Sequence, residues 1–411
     1  MRITLVSQWF DPEVGSAAIP GSIVRSLSGR GHTVEVVTGF PNYPHGRLYD
    51  GYRVRPLARE MVRGVRVHRV ALYPSHDRSA ARRILNFLSF MVTSSTIGAV
   101  IARRSQVTLV YSTPGTVGMV GIVLRRLLGR PFVLYVQDVW PDTVTATGML
   151  PGRLSKPAAW ILHRFCNQVY RSAARIAVIS PGMKDLLVAR GVPAEKVEVI
   201  YNWIDEDVFR VVPGERRTDR FEVMYAGNIG EAQGLEVAVE AVAKLGPDSG
   251  VVLRLVGDGV AADRLASLAS ELGVADQVRF EGGRDLALMS ETMASAHVQL
   301  VCLKDDPLFH ITMPSKIQAI LACGRPLLAC APGDAGALAD RSGAGFAVPP
   351  GDPGALADAI AKARDLGEEA LEEMGARGRA FYEGHLCASV GSARLERALS
   401  AAVSDGGRVD A

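Results

Sequence analysis

Twice along this chain a short apolar stretch runs into a glycine or proline turn and then into an amphipathic helical pattern, and each time the unit repeats. The first series places strands at residues 2–6, 34–38, 109–112, 132–136 and 176–179. The second places them at 223–226, 253–256, 278–281, 298–303, 327–329 and 345–348. Nearly continuous apolar strands alternating with helices predict parallel sheets covered on both faces, with ligands beyond the carboxyl ends of the strands. At 411 residues the chain is long for one domain, and two α/β domains of roughly 200 residues each are expected. Charge, Pro213 and Gly214 break the pattern between 204 and 220, which sets the domains at 1–203 and 204–380.

With 48% hydrophobic and 22% charged residues the chain builds a core. A net charge of +3 is too mild to argue for a nucleic-acid partner. Five scattered cysteines without a CxxC pair read as reduced thiols of a cytoplasmic protein. Neither a structural zinc site nor any other metal-ligand cluster is apparent, so no metal is expected. Residues 84–101 are apolar and flanked by Arg82, Arg83, Arg103 and Arg104. Asn86 and the Ser89 and 93–96 hydroxyls oppose insertion across a bilayer, so the segment reads as a surface helix. The other reading is peripheral contact with an anionic membrane.

The stretch 221–234, FEVMYAGNIGEAQG, ends a strand on Gly227 and carries Asn228 and Gln233 in a glycine-rich turn before a helix at 235–245. Strand, glycine loop and helix start together aim backbone N–H groups at one point, which suits a diphosphate; the same residues also suit an ordinary β-α turn. Gly257, Asp258 and Gly259 follow the next strand, and Arg284 the one after, where it can border a base or lie in solvent. Further on, Lys304 and His310 precede Pro314, Ser315 and Lys316 at a helix start. A cation in a first turn opposes the helix dipole, which points to a ligand phosphate beside Lys316. In the first half, Gly15 and Ser16 bring small residues to a helix start, and Asn42 and Tyr43 lie on a proline-rich rim. Gln137 and Asp138 close a buried strand with polar groups able to orient sugar hydroxyls, and Asp142 reads as a helix cap.

With those residues in place, the chain resembles the retaining glycosyltransferases of family 4, of GT-B architecture. FDPEVGSAA, GHTVEVVTGFPNYPHG, VQDVWPD, SPGMKDLL, YAGNIGEAQGLE, LVGDG and PSKIQAILACGRPLLA have counterparts, in order, in the branch that builds bacterial capsular, colanic-acid-like and O-antigen polysaccharides. The resemblance implies two facing Rossmann-like domains. The second holds a nucleotide-diphosphate sugar as co-substrate, without a further cofactor. The first holds a hydroxyl acceptor, lipid-linked or small, and a helical tail at 381–403 packs on it. Asp138 and Lys316 then become the candidate catalytic pair. Donor-binding roles fall to Gly227, Asn228, Gln233, Gly257, Asp258, Gly259, Arg284, Lys304, His310, Pro314 and Ser315, and acceptor-binding roles to Gly15, Ser16, Asn42, Tyr43 and Gln137. Two departures stand out. The first loop of the second domain offers Asn228 and Gln233 in place of a basic residue, and the family's spaced glutamates fall on Ile311 and Ala319. A sugar-nucleotide epimerase on the same architecture, or a binding partner without turnover, are the alternative readings.

Overall fold

The computed structural model describes residues 1–75, 79–142, 155–214 and 219–406. They form two compact units, Met1–Asn202 joined by the residues from Gly391 on, and Trp203–Val390. The expected boundary stretch 204–220 includes four positions, 215–218, outside the described residues.

In the first unit the strands are β1 (Arg2–Val6), β2 (Thr33–Thr38), β3 (Leu57–Val62), β4 (Val65–Val70), β5 (Val107–Ser112), β6 (Phe132–Val136), β7 (Arg175–Val178) and β8 (Val197–Val199). They form one sheet in the order β3-β4-β2-β1-β5-β6-β7-β8. Every pairing is parallel except that of β3 with β4. That hairpin was not anticipated, because Arg59, Glu60, Arg66, His68 and Arg69 hide its apolar alternation. Its turn is Arg63-Gly64 with φ of 48° and 81°, the double left-handed geometry that matches strand twist.

The expected surface helix is longer than 84–101 and interrupted. Ala80–Thr93 passes through a π segment, Ser94–Gly98, into Ala99–Ala102. One face packs inward, with Phe90 fully buried and Gly98 set against Val37. The span Ala81–Ala102 has a mean hydropathy of 1.7 but is only 28% buried, leaving Ile84, Leu85, Leu88, Val92 and Val100 exposed.

The second unit holds β9 (Phe221–Ala226), β10 (Val251–Val256), β11 (Val278–Gly282), β12 (Val298–Cys302), β13 (Leu327–Cys330) and β14 (Gly345–Val348), all parallel, in the order β11-β10-β9-β12-β13-β14. Phe221, Val223 and Tyr225 point into one core cluster and Met224 into another, the two-sided burial that makes such strands apolar throughout. Strand order reverses direction at β9 and β12, which marks the crevice where ligands of such sheets bind.

The helical tail is not one element. Helix Gly367–His385 stops and Ala388–Gly406 begins, with the amides of Leu386 and Cys387 both on the Tyr382 carbonyl. Tyr382, fully buried, donates its hydroxyl to Glu206 at 2.9 Å, and the same carboxylate oxygen accepts the Ala388 N–H at 2.8 Å. This anchor holds 381–390 to the second unit, and only from Gly391 does the chain rejoin the first.

Candidate functional site

At the carboxyl ends of β9, β10 and β11, three glycine loops are laced together. The Gly227 N–H donates to Val256 O at 2.8 Å, Ile229 N–H to Asp258 O at 2.9 Å and Gly257 N–H to Gly282 O at 2.8 Å. Gly230 N–H donates to the Gln233 side chain at 3.1 Å. Of the N–H groups expected to face a ligand in this loop, those of Gly227 and Ile229 are spent on the next loop and that of Gly230 on its own turn. Gln233 is a cap for its own turn. Glycine is required where the loops cross. At Gly257 (φ +137°) a Cβ would overlap the Gly227 carbonyl, at Gly259 it would overlap the Ile229 carbonyl, and at Gly283 it would meet the Asp258 carboxylate at 2.8 Å.

Lys316 lies against this stack. A Cβ on Gly227 (φ +134°) would sit 2.7 Å from its Nζ. Its ammonium donates to the Tyr225 hydroxyl and lies 3.8 Å from that ring's centroid, and Tyr225 in turn donates to the Asn228 carbonyl at 2.7 Å. No carboxylate pairs with Lys316 among the described residues. Burial pulls the ammonium down to about 8, the response of a cation removed from water without a counter-charge. Helix Ser315–Ala322 begins at the same point, with Pro314 as its N-cap residue and exposed Ser315 next, so its first N–H groups add to the positive end. Asn228, Tyr225, Gly227 and Lys316 thus form one chemical unit. Tyr225 was missed as a site residue because an inward strand position explained it; its hydroxyl, raised by burial, is the post that Lys316 leans on.

The remaining donor-side candidates divide. Lys304 flanks the stack, its stem against Gly234 (φ +59°) and its ammonium 3.6 Å from Glu231. His310 pairs with Asp305 at 2.7 Å, and its backbone carbonyl fills the space beside Gly333. Arg284 pairs with Glu281 at 3.3 Å, a carboxylate held mainly by Arg254 at 2.6 Å.

In the first unit, burial pushes the Asp138 carboxyl up, against one hydroxyl bond from Thr113 at 3.4 Å. Gln137 accepts from Asn202 at 2.6 Å, while its own Nε2 and the Asn202 Oδ1 are buried without partners among the described residues. Asp142 pairs with Arg190 at 2.5 Å. Gly15 has φ +68°; the Ser16 side chain lies outside the described residues. Asn42 and Tyr43 meet at a residue the sequence reading passed over. Glu13, buried, accepts the N–H groups of Asn42 and Tyr43 at 2.8 Å each and of Phe10 at 3.0 Å. Burial raises its carboxyl, opposed by those bonds and by Arg69. Arg69, also buried, donates to the carbonyls of Gly39 and Asp11 at 2.9 and 2.7 Å. Glu13 and Arg69 clamp the loops that carry the candidate acceptor rim. Glu13→Gln turns one acceptor oxygen into a donor facing a backbone N–H, and should cost about 1–3 kcal/mol in denaturant unfolding; an unchanged midpoint would show that the clamp carries no weight.

Residues 14–203 match the glycosyl transferase 4-like domain, and residues 220–365 the glycosyl transferases group 1 domain. The chain is 27% identical over 342 residues to a protein named for colanic acid biosynthesis glycosyl transfer, WcaI of Escherichia coli (strain K12), covering 79% of this chain and 82% of that one. Its fold is similar to that of Anabaena HepE, solved in complex with UDP-glucose, with TM-score 0.67 at 16% identity over 97% and 99% of the two chains. Sucrose-phosphate synthase from Thermosynechococcus elongatus is similar with TM-score 0.68 at 18% identity over 96% and 97%.

Proposed function

The chain belongs to the GT-B glycosyltransferases that join a 4-like domain to a group 1 domain, and we propose that it is a retaining, metal-independent hexosyltransferase using a nucleotide-diphosphate sugar. The observation that carries this reading is Lys316, an ammonium largely out of water, without a carboxylate, at a helix start beside the Gly227 loop. Such a cation is completed by a diphosphate. In the step itself the bond from anomeric carbon to diphosphate oxygen breaks and its electron pair stays on the phosphate. The acceptor oxygen bonds the same face of that carbon, and its proton passes to the departing diphosphate. Lys316 and the first N–H groups of its helix meet the charge that develops. Ile311 and Ala319 supply no carboxylate, which leaves sugar contacts to the neighbouring loops. Asp138 and the rim held by Glu13 orient the acceptor hydroxyl.

The name of WcaI and the exposed apolar residues of Ala81–Ala102 support a finer reading: the acceptor is a lipid-linked saccharide, met by an enzyme on the cytoplasmic face of a membrane. UDP-glucose bound to HepE makes a uridine donor the first to try. Thermal unfolding against a panel of nucleotide sugars with chelator present tests the donor site. The true donor at 100 times its dissociation constant should add about 2.7 kcal/mol, and a panel without any shift ends the reading.

The pH dependence has a definite sign. The folded Lys316 titrates near 8 and an ordinary lysine at 10.5. Between those values the unfolded chain binds more protons, so the stability of the ligand-free protein should rise with pH across that window. Donor affinity and kcat/KM should fall as pH passes 8, because the ammonium that meets the diphosphate is lost. A flat profile would remove Lys316 from the site.

A further inference from the structure

A cavity of about 910 Å³ opens in the first unit at the amino-terminal ends of β1 and β2. The loops bearing Asp138 and Glu13 follow the carboxyl ends of their strands, so this is a separate place on the molecule. Arg2, Arg59, Arg66 and Arg104 line it together with a single carboxylate, Glu35. Glu35 is already occupied, by Arg66 at 2.9 Å and by His68 at 3.1 Å. Arg2, Arg59 and Arg104 make no ion pair among the described residues. The cavity alone therefore concentrates a positive excess as large as the net +3 of the whole chain.

His68 also lines it. Its side chain is built into the wall, the residue only 5% exposed, with Nε2 on Glu35. The opposite wall is apolar: Ile97, Val100 and Ile101 from the helical run that exposes Val92 and Leu88 further along, with Val100 itself 51% exposed.

The geometry points to a site for one anionic phospholipid. We propose that its phosphodiester lies on the guanidinium groups of Arg2, Arg59 and Arg104, beside the His68 ring, and that its first acyl carbons cover Ile97, Val100 and Ile101. Only a ligand with both parts answers both walls. A free phosphate leaves the isoleucines and Val100 wet, and a neutral lipid leaves three guanidinium groups unmatched. The site gives the membrane contact proposed above a specific lipid class, and it does not depend on the transfer chemistry.

The test uses the full chain and soluble short-chain lipids, dihexanoyl phosphatidylglycerol against dihexanoyl phosphatidylcholine and inorganic phosphate, by calorimetry and by the His68 ring resonance. Only the phosphatidylglycerol should bind and move that resonance. Arg59→Gln with Arg104→Gln, both on exposed side chains, should weaken it about 25-fold, each basic residue near an anionic lipid being worth about fivefold. Val100→Glu should also weaken it. Transfer to a soluble acceptor should be unchanged in the double variant, so that loss of the site and failure of the glycosyl-transfer reading are told apart. Equal binding of phosphatidylcholine, tight binding of inorganic phosphate alone, or an unaffected double variant would each overturn the proposal. Vesicle retention lost in Leu88→Glu but kept in the double variant, with no short-chain lipid bound, would leave a membrane contact and no lipid site.

Discussion

Lys316→Ala should slow transfer by roughly two to three orders of magnitude, a barrier increase of about 2.7–4 kcal/mol, the usual range for removing a preorganised contact to transition-state charge. The loss should fall on kcat more than on donor KM, because the diphosphate carries more charge when it leaves than when it is bound as an ester. Folding should not suffer. Tyr225 keeps its bond to the Asn228 carbonyl, and taking away a buried ammonium relieves a desolvation cost that the ligand-free protein bears below pH 8. An unchanged or raised unfolding temperature with collapsed transfer is therefore the expected pair of results. Wild-type rates in this variant would remove the cation from the mechanism, whatever became of stability. Lys316→Arg is a useful companion, since the larger planar group must fit where the Gly227 backbone already comes close.

Much of this was legible in the sequence because parallel strands buried on both faces must be apolar and must be followed by turns. The strand expected at 223–226 appears, two residues longer, as Phe221–Ala226, and Lys316 was marked by its electrostatic discomfort at a helix start. What escaped notice was polar material inside apolar context. Strands β3 and β4 carry five charged or histidine residues, and Glu13 reads as one more loop acid until the fold buries it under three backbone N–H groups. Period alone does not reveal a carboxylate whose partners are 29 and 30 residues away. The Gly227 loop shows the converse, with the amides of Gly227 and Ile229 taken by the next loop. A sequence shows how many donors a loop has, and only the neighbouring loops decide how many are spent on one another.

Gly257→Ala should damage both stability and donor binding, and the coupling of the two is the informative part. Gly257 sits at φ +137°, and its missing side chain leaves the space that the Gly227 carbonyl enters. Its N–H reaches the next loop at Gly282 O, 2.8 Å away. A methyl group there imposes backbone strain of about 1–3 kcal/mol and, beyond strain, pushes Gly227 off the Lys316 ammonium. Gly273→Ala separates these effects. That glycine also has a left-handed φ, +71°, but nothing lies within 4 Å of a Cβ built on it, so it carries strain alone. Denaturant midpoints should fall in both variants, further in Gly257→Ala. Donor affinity, measured where each variant is still folded, should fall at least tenfold (about 1.4 kcal/mol) in Gly257→Ala and stay at the wild-type value in Gly273→Ala. If both variants bind donor like the wild type, the crossing of the glycine loops shapes the fold without shaping the diphosphate site, and Lys316 must hold its position through Tyr225 alone.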